Sequence, residues 1–157
     1  MRPLSILALA PLPPWPVNSG SKVRMFHLTR ALSARHRVTL LSLRTSAAAA
    51  QDVRRQLPEV ELRTVDGPPN RRSLRSIVRS LQRGEPIHVA EAWSPQAADE
   101  LARLGSYDIL HIFHLTMVQY LPLVRGRLAV YDPMGDESVY MERLSRTISA
   151  VWRPVVR

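Results

Sequence analysis

Residues 11–24 read PLPPWPVNSGSKVR and put Ser19, Gly20 and Ser21 at a turn, with Lys22 and Arg24 just beyond it. A glycine-containing loop that leads from a strand into a helix offers free backbone N–H groups and the positive end of the helix dipole to an anion. Cations in the first helical turn oppose that dipole, a small local cost that an anionic ligand offsets. The plainer reading is that the prolines turn the chain and Gly20 permits the turn. The spacing matches neither the dinucleotide motif GxGxxG nor the phosphate loop GxxxxGKS/T.

A second stretch, DILHIFH, spans residues 108–114, with His111 inside the apolar run and His114 just past it. Alternation puts His111 and Phe113 on one face of a strand and His114 on the other, if the strand reaches that far. A histidine at a strand's end can donate a hydrogen bond to a substrate or carry a proton. A single histidine can also be no more than a structural hydrogen-bonding group. In YDPMGDES, residues 131–138, the carboxylates of Asp132, Asp136 and Glu137 could accept hydrogen bonds from sugar hydroxyls. Alternatively, Asp136 and Glu137 simply favour the N-terminus of a following helix.

The fourth stretch is basic. Arg72, Arg75, Arg79 and Arg83 are spaced to share one helical face, flanking the apolar residues Leu74, Ile77, Val78 and Leu81. Such a helix can lie against an anionic membrane, or it can present an ordinary solvated basic face.

Composition removes several classes of chemistry. The 157 residues include no cysteine, which excludes disulfides, thiolate metal sites and cysteine nucleophiles. Five scattered histidines lack the HExxH type of spacing, so no metal site is expected. The net charge is +9, from 22 basic and 13 acidic residues, and Lys22 is the single lysine. That balance favours phosphorylated substrates, acidic lipid headgroups or nucleic acid, although arginine preference also fits codon bias. No nucleic-acid-binding motif or aromatic stacking platform supports the last of these, and no nucleic-acid partner is expected.

These residues need elements to position them. Residues 4–10 are a short apolar run closed by prolines, which reads as a central strand buried on both faces. The segment Ala8-Leu9-Ala10 resembles a signal-peptide cleavage site, but the run is short and a proline would follow the cut, so a strand is the expectation. A helix capped by Asn18 or Ser19 follows, with Met25, Leu28 and Leu32 on one face, and then a strand over 37–43. Helices are expected over 47–57, from 73 to about 84, from Ser94-Pro95 through 104, over 117–124, and from 137 onward. Further strands are expected over 60–65, 108–113 and 127–131. No stretch approaches the ~20 apolar residues that span a bilayer. Alternating strands and helices predict a single α/β domain, a Rossmann-like parallel sheet flanked by helices. Ligands in such folds bind beyond the carboxyl ends of the strands, which singles out residues 11–22, 114–116 and 132–138.

The opening stretch, SILALAPLPPWPVNSGSKVRMFHLTRALSARHRVTLLSL, resembles the start of family 4 retaining glycosyltransferases of the GT-B fold. The shared parts are an apolar strand, a proline-rich loop, a Ser-Gly or Gly-Gly turn, a leucine-containing helix and a second strand of the form HxVTL, here His36 to Leu40. LQRGEP (81–86), YDILH (107–111), MVQYL (117–121) and the segment 132–143, with its Glu-Ser and downstream arginine, follow in the family's order.

The resemblance implies an N-terminal Rossmann-like domain that binds the acceptor, beside a second domain that binds a nucleotide-sugar donor. It implies sugar transfer with retention of configuration, without a metal or other cofactor, in the cytoplasm or at the inner membrane face. Ser19, Gly20 and Ser21 would occupy the turn that approaches donor phosphates or acceptor, and Arg24 the family's basic helix position. The histidine that contacts the transferred sugar would be His114, with His111 second. The family's double glycine is reduced here to Ser19-Gly20, and no pair of glutamates has the donor-site spacing of seven intervening residues. The expectation is therefore half an enzyme: a fragment, a single-domain piece or one subunit whose partner supplies the donor site. The alternative is a non-catalytic Rossmann-like module for an anion or a partner protein, or a peripheral membrane adaptor.

Overall fold

Ile6 to Ala10 are all buried, and they form the middle of strand β1 (Ser5–Ala10). In the computed structural model, which describes residues 2–65, 74–84 and 86–134 apart from the Arg75 side chain, β1 is the central strand of a parallel sheet. Strands β2 (Arg37–Leu43), β3 (Glu61–Val65), β4 (Ser106–Phe113) and β5 (Arg125–Asp132) complete the order β3-β2-β1-β4-β5. All four strand pairings are parallel. A strand covered by layers on both faces and hydrogen-bonded on both edges must be apolar at every position, which is why β1 shows no alternation.

Helices cover the two faces. One face of the sheet (Ile6, Ala8, Val38, Leu40, Phe113) packs on α1 (Gly20–Ser33) through Met25 and Phe26, and on α2 (Ala47–Gln56) through Ala50 and Val53. The other face (Leu7, Leu9, Leu41, Leu110, Ile112) packs on α5 (Pro95–Arg103) and on a 3-10 helix, Leu115–Leu123. Serines start three helices: Ser19 caps α1 and Ser94, followed by Pro95, caps α5, both as expected, and Ser46 caps α2. Helix α3 (Leu74–Arg83) ends at Gly84, whose φ of +61° suits a residue without a Cβ, and α4 (Ile87–Glu91) follows.

β4 starts two residues before its expected position and α4 was not expected, and three further expectations change for visible physical reasons. The deepest residues of α1 are Met25, Phe26 and Thr29, with Leu28 and Leu32 only partly buried, because Trp15 of the preceding loop lies on Phe26 and turns that face inward. The helix expected over 117–124 is a 3-10 helix that starts earlier and contains Pro122, whose missing N–H disfavours an α-helical ladder. β5 starts two residues before its expected position, where Gly126 lets it lie against β4: a Cβ on Gly126 would run into the Leu110 side chain. No helix among the described residues is long and apolar enough to cross a membrane.

Candidate functional site

The chain runs outward from β1 to β2 and β3, then returns across the sheet to β4 and β5 on the other side of β1. This is the switch point of the sheet, and in open parallel sheets the loops after such a pair of strands diverge and ligands bind between them. Residues 11–19 lead from the carboxyl end of β1 into α1. Trp15 anchors this loop on Phe26, with ring centres 5.4 Å apart. Ser19 ends it, accepting the Lys22 N–H at 3.5 Å and lying 3.2 Å from the Ser21 hydroxyl. Gly20 is the first residue of α1, has no positive φ, and a Cβ added there would meet no atom within 4 Å. The turn itself thus places no demand for glycine at this position.

One helical turn further on, Arg24 reaches across to β5. Its Nε donates to both carboxylate oxygens of Asp132, at 2.9 and 3.0 Å. Asp132 is buried at the end of β5, while the Arg24 side chain remains 60% exposed. Strand register explains the meeting: Asp132 pairs with Phe113, so it lies diagonally across from His111 on the same face of the sheet, the face that carries α1. His111 Nε2 is 3.6 Å from Asp132 Oδ2, and its ring packs on Phe113 with centres 4.4 Å apart.

Electrostatics divide the roles of the three. Burial pushes the His111 imidazole below its ordinary pKa of 6.5, more strongly than nearby Asp132 raises it, and Arg24 adds to the lowering. His111 is therefore neutral at pH 7, with one nitrogen that donates and one that accepts. The hydrogen bond and charge of Asp132 hold the Arg24 guanidinium protonated even more firmly than usual. Among the described residues no hydrogen bond reaches the two terminal nitrogens of Arg24, and these form the charged, open side of the cluster.

His114 has a different setting. β4 ends at Phe113, and His114 leaves it with φ +79° and ψ 145°. This region is sparsely populated by side-chain-bearing residues and costs on the order of 1–3 kcal/mol. Its Nδ1 accepts the Thr116 N–H at 3.3 Å and lies 3.0 Å from the Thr116 hydroxyl, so His114 caps the 3-10 helix. Its own N–H donates to the Asp132 carbonyl at 3.3 Å. The sequence expectation ranked His114 first and His111 second; it is His111 that joins Arg24 and Asp132. Thr116, which fixes His114, was marked only as the end of the 114–116 loop and given no role of its own.

The basic helix differs most from expectation. The Arg79 guanidinium lies 3.8 Å over the Trp93 ring and that of Arg83 lies 6.0 Å away, while Trp93 stacks on Tyr120. Arg79 thus turns toward the protein while Arg83 stays exposed, and the apolar residues they flank are also open to solvent: Leu74 is 81% and Leu81 78% exposed. Arg79 is therefore drawn from the expected basic face onto the indole, where a cation over the ring is favourable. Arg72, Asp136 and Glu137 lie outside the described residues, as does the Arg75 side chain. Among the described residues no three histidines, aspartates or glutamates gather closely enough to hold a metal ion. No protein-family model, curated protein or solved structure matches this chain.

Proposed function

We propose that this chain is the acceptor-binding half of a retaining glycosyltransferase, which passes a sugar from a nucleotide-sugar to a glycan, lipid-linked or other acceptor. The observation that carries this reading is the convergence of Arg24, His111 and Asp132 beside the 19–21 turn, at the carboxyl ends of the strands next to β1. Asp132 takes the Nε of Arg24 and leaves the planar end of the guanidinium for an oxyanion, the geometry in which arginine binds phosphate well. The open space over Gly20 and the hydroxyls of Ser19 and Ser21 extend that anion-binding side. His111 and Asp132 are too buried to meet a ligand broadly; they are positioning residues for Arg24. Half-buried His114 is the histidine that can touch the transferred sugar. On this reading the donor side is supplied by a second domain or a partner subunit, as the resemblance implies.

Saturation-transfer NMR of the chain with glycan and polyprenyl-phosphate acceptors tests the reading. Transfer to an acceptor that disappears in Arg24→Gln supports it. Absence of transfer to every acceptor, or sugar transfer by this chain alone, overturns it.

A second reading, contact with a membrane surface, is favoured by a separate observation. Helix α3 presents Leu74, Val78 and Leu81 outward, an apolar row suited to the headgroup boundary of a bilayer. The two readings are compatible, since lipid-linked acceptors lie at such a boundary.

A further inference from the structure

We infer that the amino-terminal edge of the sheet holds a second anion site, a cavity whose arginines take a ligand phosphate group. The cavity has a volume of about 460 Å3, and Arg2, Arg37, Arg125 and Arg127 line it together with Ser106 and Asp108. Strand order brings them together: Arg37 opens β2, Arg125 opens β5 opposite Ser106, and Arg2 precedes β1 between them. Gly126 also lines the cavity and keeps Arg125 and Arg127 close to β4. β1 has six residues, so this edge is about 20 Å from the carboxyl edge that holds Arg24 at ~3.3 Å per residue. The two sites cannot be parts of one small-ligand pocket.

The charges in the cavity are unbalanced. Among the described residues that line it Asp108 is the one acid, and that carboxylate is already engaged: it accepts the Ser5 N–H at 2.9 Å and the Ser5 hydroxyl at 3.0 Å, with Arg127 at 3.8 Å. Arg2 lies near enough to Asp108 for its charge to help lower that carboxyl's pKa, but among the described residues no ion pair reaches Arg37 or Arg125, and no hydrogen bond reaches the Ser106 hydroxyl. Arginines elsewhere near this edge have a structural reason to be there. Arg30, Arg54 and Arg103 occupy the last turns of α1, α2 and α5, where a cation complements the helix dipole. The four around the cavity sit on strands or ahead of one, where no helix dipole calls for them. Several guanidinium groups and a hydroxyl around one open cavity are a donor set for phosphate oxygens. The cavity volume falls within the ~300–1,000 Å3 typical of small-ligand sites.

That phosphate can come from a soluble polyphosphate or from a lipid headgroup, and two arms of one experiment separate them. Pyrophosphate binding is followed by isothermal titration, and binding to phosphatidylglycerol vesicles by sedimentation, for the wild-type chain and two double variants. Arg37→Gln with Arg125→Gln empties the cavity of two charges; Arg30→Gln with Arg54→Gln removes the same charge elsewhere. Circular dichroism checks that both variants are folded. The cavity variant is expected to weaken binding about tenfold or more in at least one arm, with the control variant close to wild type. Loss confined to pyrophosphate assigns a soluble ligand, and loss confined to vesicles assigns a headgroup. Equal weakening by the two variants, or no binding by the wild-type chain in either arm, would overturn the proposal.

Discussion

Arg24 and Asp132, separated by 108 positions, are joined by two hydrogen bonds from a single guanidinium nitrogen, with the carboxylate buried and the arginine largely in water. This asymmetry fixes what each partner's removal should do. Arg24→Ala leaves a buried carboxylate with, among the described side chains that contact it, neutral His111 alone, and a buried charge without its partner is costly. Asp132→Asn leaves an arginine that water can solvate, with an amide oxygen still able to accept from its Nε. Urea midpoints are expected to rank wild type above Asp132→Asn and Asp132→Asn above Arg24→Ala. The double variant should be less destabilised than the sum of the two single changes, because it leaves no buried charge. Additive effects would mean that the two side chains do not act as a unit.

His111 supplies a pH dependence that can be separated from those of the carboxylates. Its folded pKa lies below 6.5, chiefly through burial, so below that pH the unfolded chain takes up a proton that the folded chain resists. The stability associated with neutral His111 is therefore fully present above pH 6.5 and is lost as pH falls toward the lowered folded value. The groups facing it are Asp132 and, across that carboxylate, Arg24. Glu61, held down by Arg63, and Asp108, held down by Ser5, are also shifted below their ordinary values of 4.5 and 3.8. Their contributions disappear only below those values, in a more acidic window. His111→Gln should flatten the urea midpoint between pH 7 and 5 while leaving the loss below pH 4.5 in place. An unchanged slope between pH 7 and 5 would show that His111 does not resist protonation.

Tyr120 fastens the 3-10 helix to the corner before α5. It is fully buried; its hydroxyl donates to the Ala92 carbonyl at 2.9 Å and accepts the Ser94 N–H at 2.7 Å. Tyr120→Phe keeps the ring stacked on Trp93 but strands both backbone groups, at a cost of about 1–3 kcal/mol measurable by urea unfolding. Burial also pushes the phenol up to about 12 from its ordinary 10. The folded chain thus keeps this phenol neutral while the unfolded chain ionises it, and stability should fall as pH rises from 10 toward 12. In an absorbance titration of the folded protein, one tyrosine should ionise late and its step should vanish in Tyr120→Phe.

The parts of this architecture that depend on local pattern were legible in the sequence. The apolar runs of β1 and β2 and the serine caps of α1 and α5 identify themselves, because burial on two faces and an unpaired helix end leave few suitable residues. The misreadings came from contacts distant in sequence. Phe26 is buried through Trp15, and Arg79 of α3 is drawn onto Trp93, fourteen residues further along the chain. Arg24, His111 and Asp132 could each be picked out as chemically capable, but their meeting depends on β5 lying beside β4 in one register. His114 was legible as a strand-end histidine; its positive φ and its role as a cap were not, since both follow from where β4 stops.

Helix α3 gives the membrane reading a direct test, because its exposed row is apolar and two of its arginines are turned toward Trp93. Binding through Leu74 and Leu81 should depend on apolar burial more than on charge, so neutral and acidic vesicles should both sediment the chain. Leu74→Gln with Leu81→Gln keeps good helix formers in α3 and removes the two most exposed apolar side chains. Burying a leucine contributes about 1.5–3 kcal/mol, so even partial insertion of the pair predicts at least a tenfold loss of vesicle binding in the double variant. The same variant should unfold within about 0.5 kcal/mol of wild type, since neither side chain is packed in the folded chain. Binding to acidic vesicles alone, unaffected by these substitutions and abolished by salt, would assign the contact to the chain's arginines and remove α3 from it.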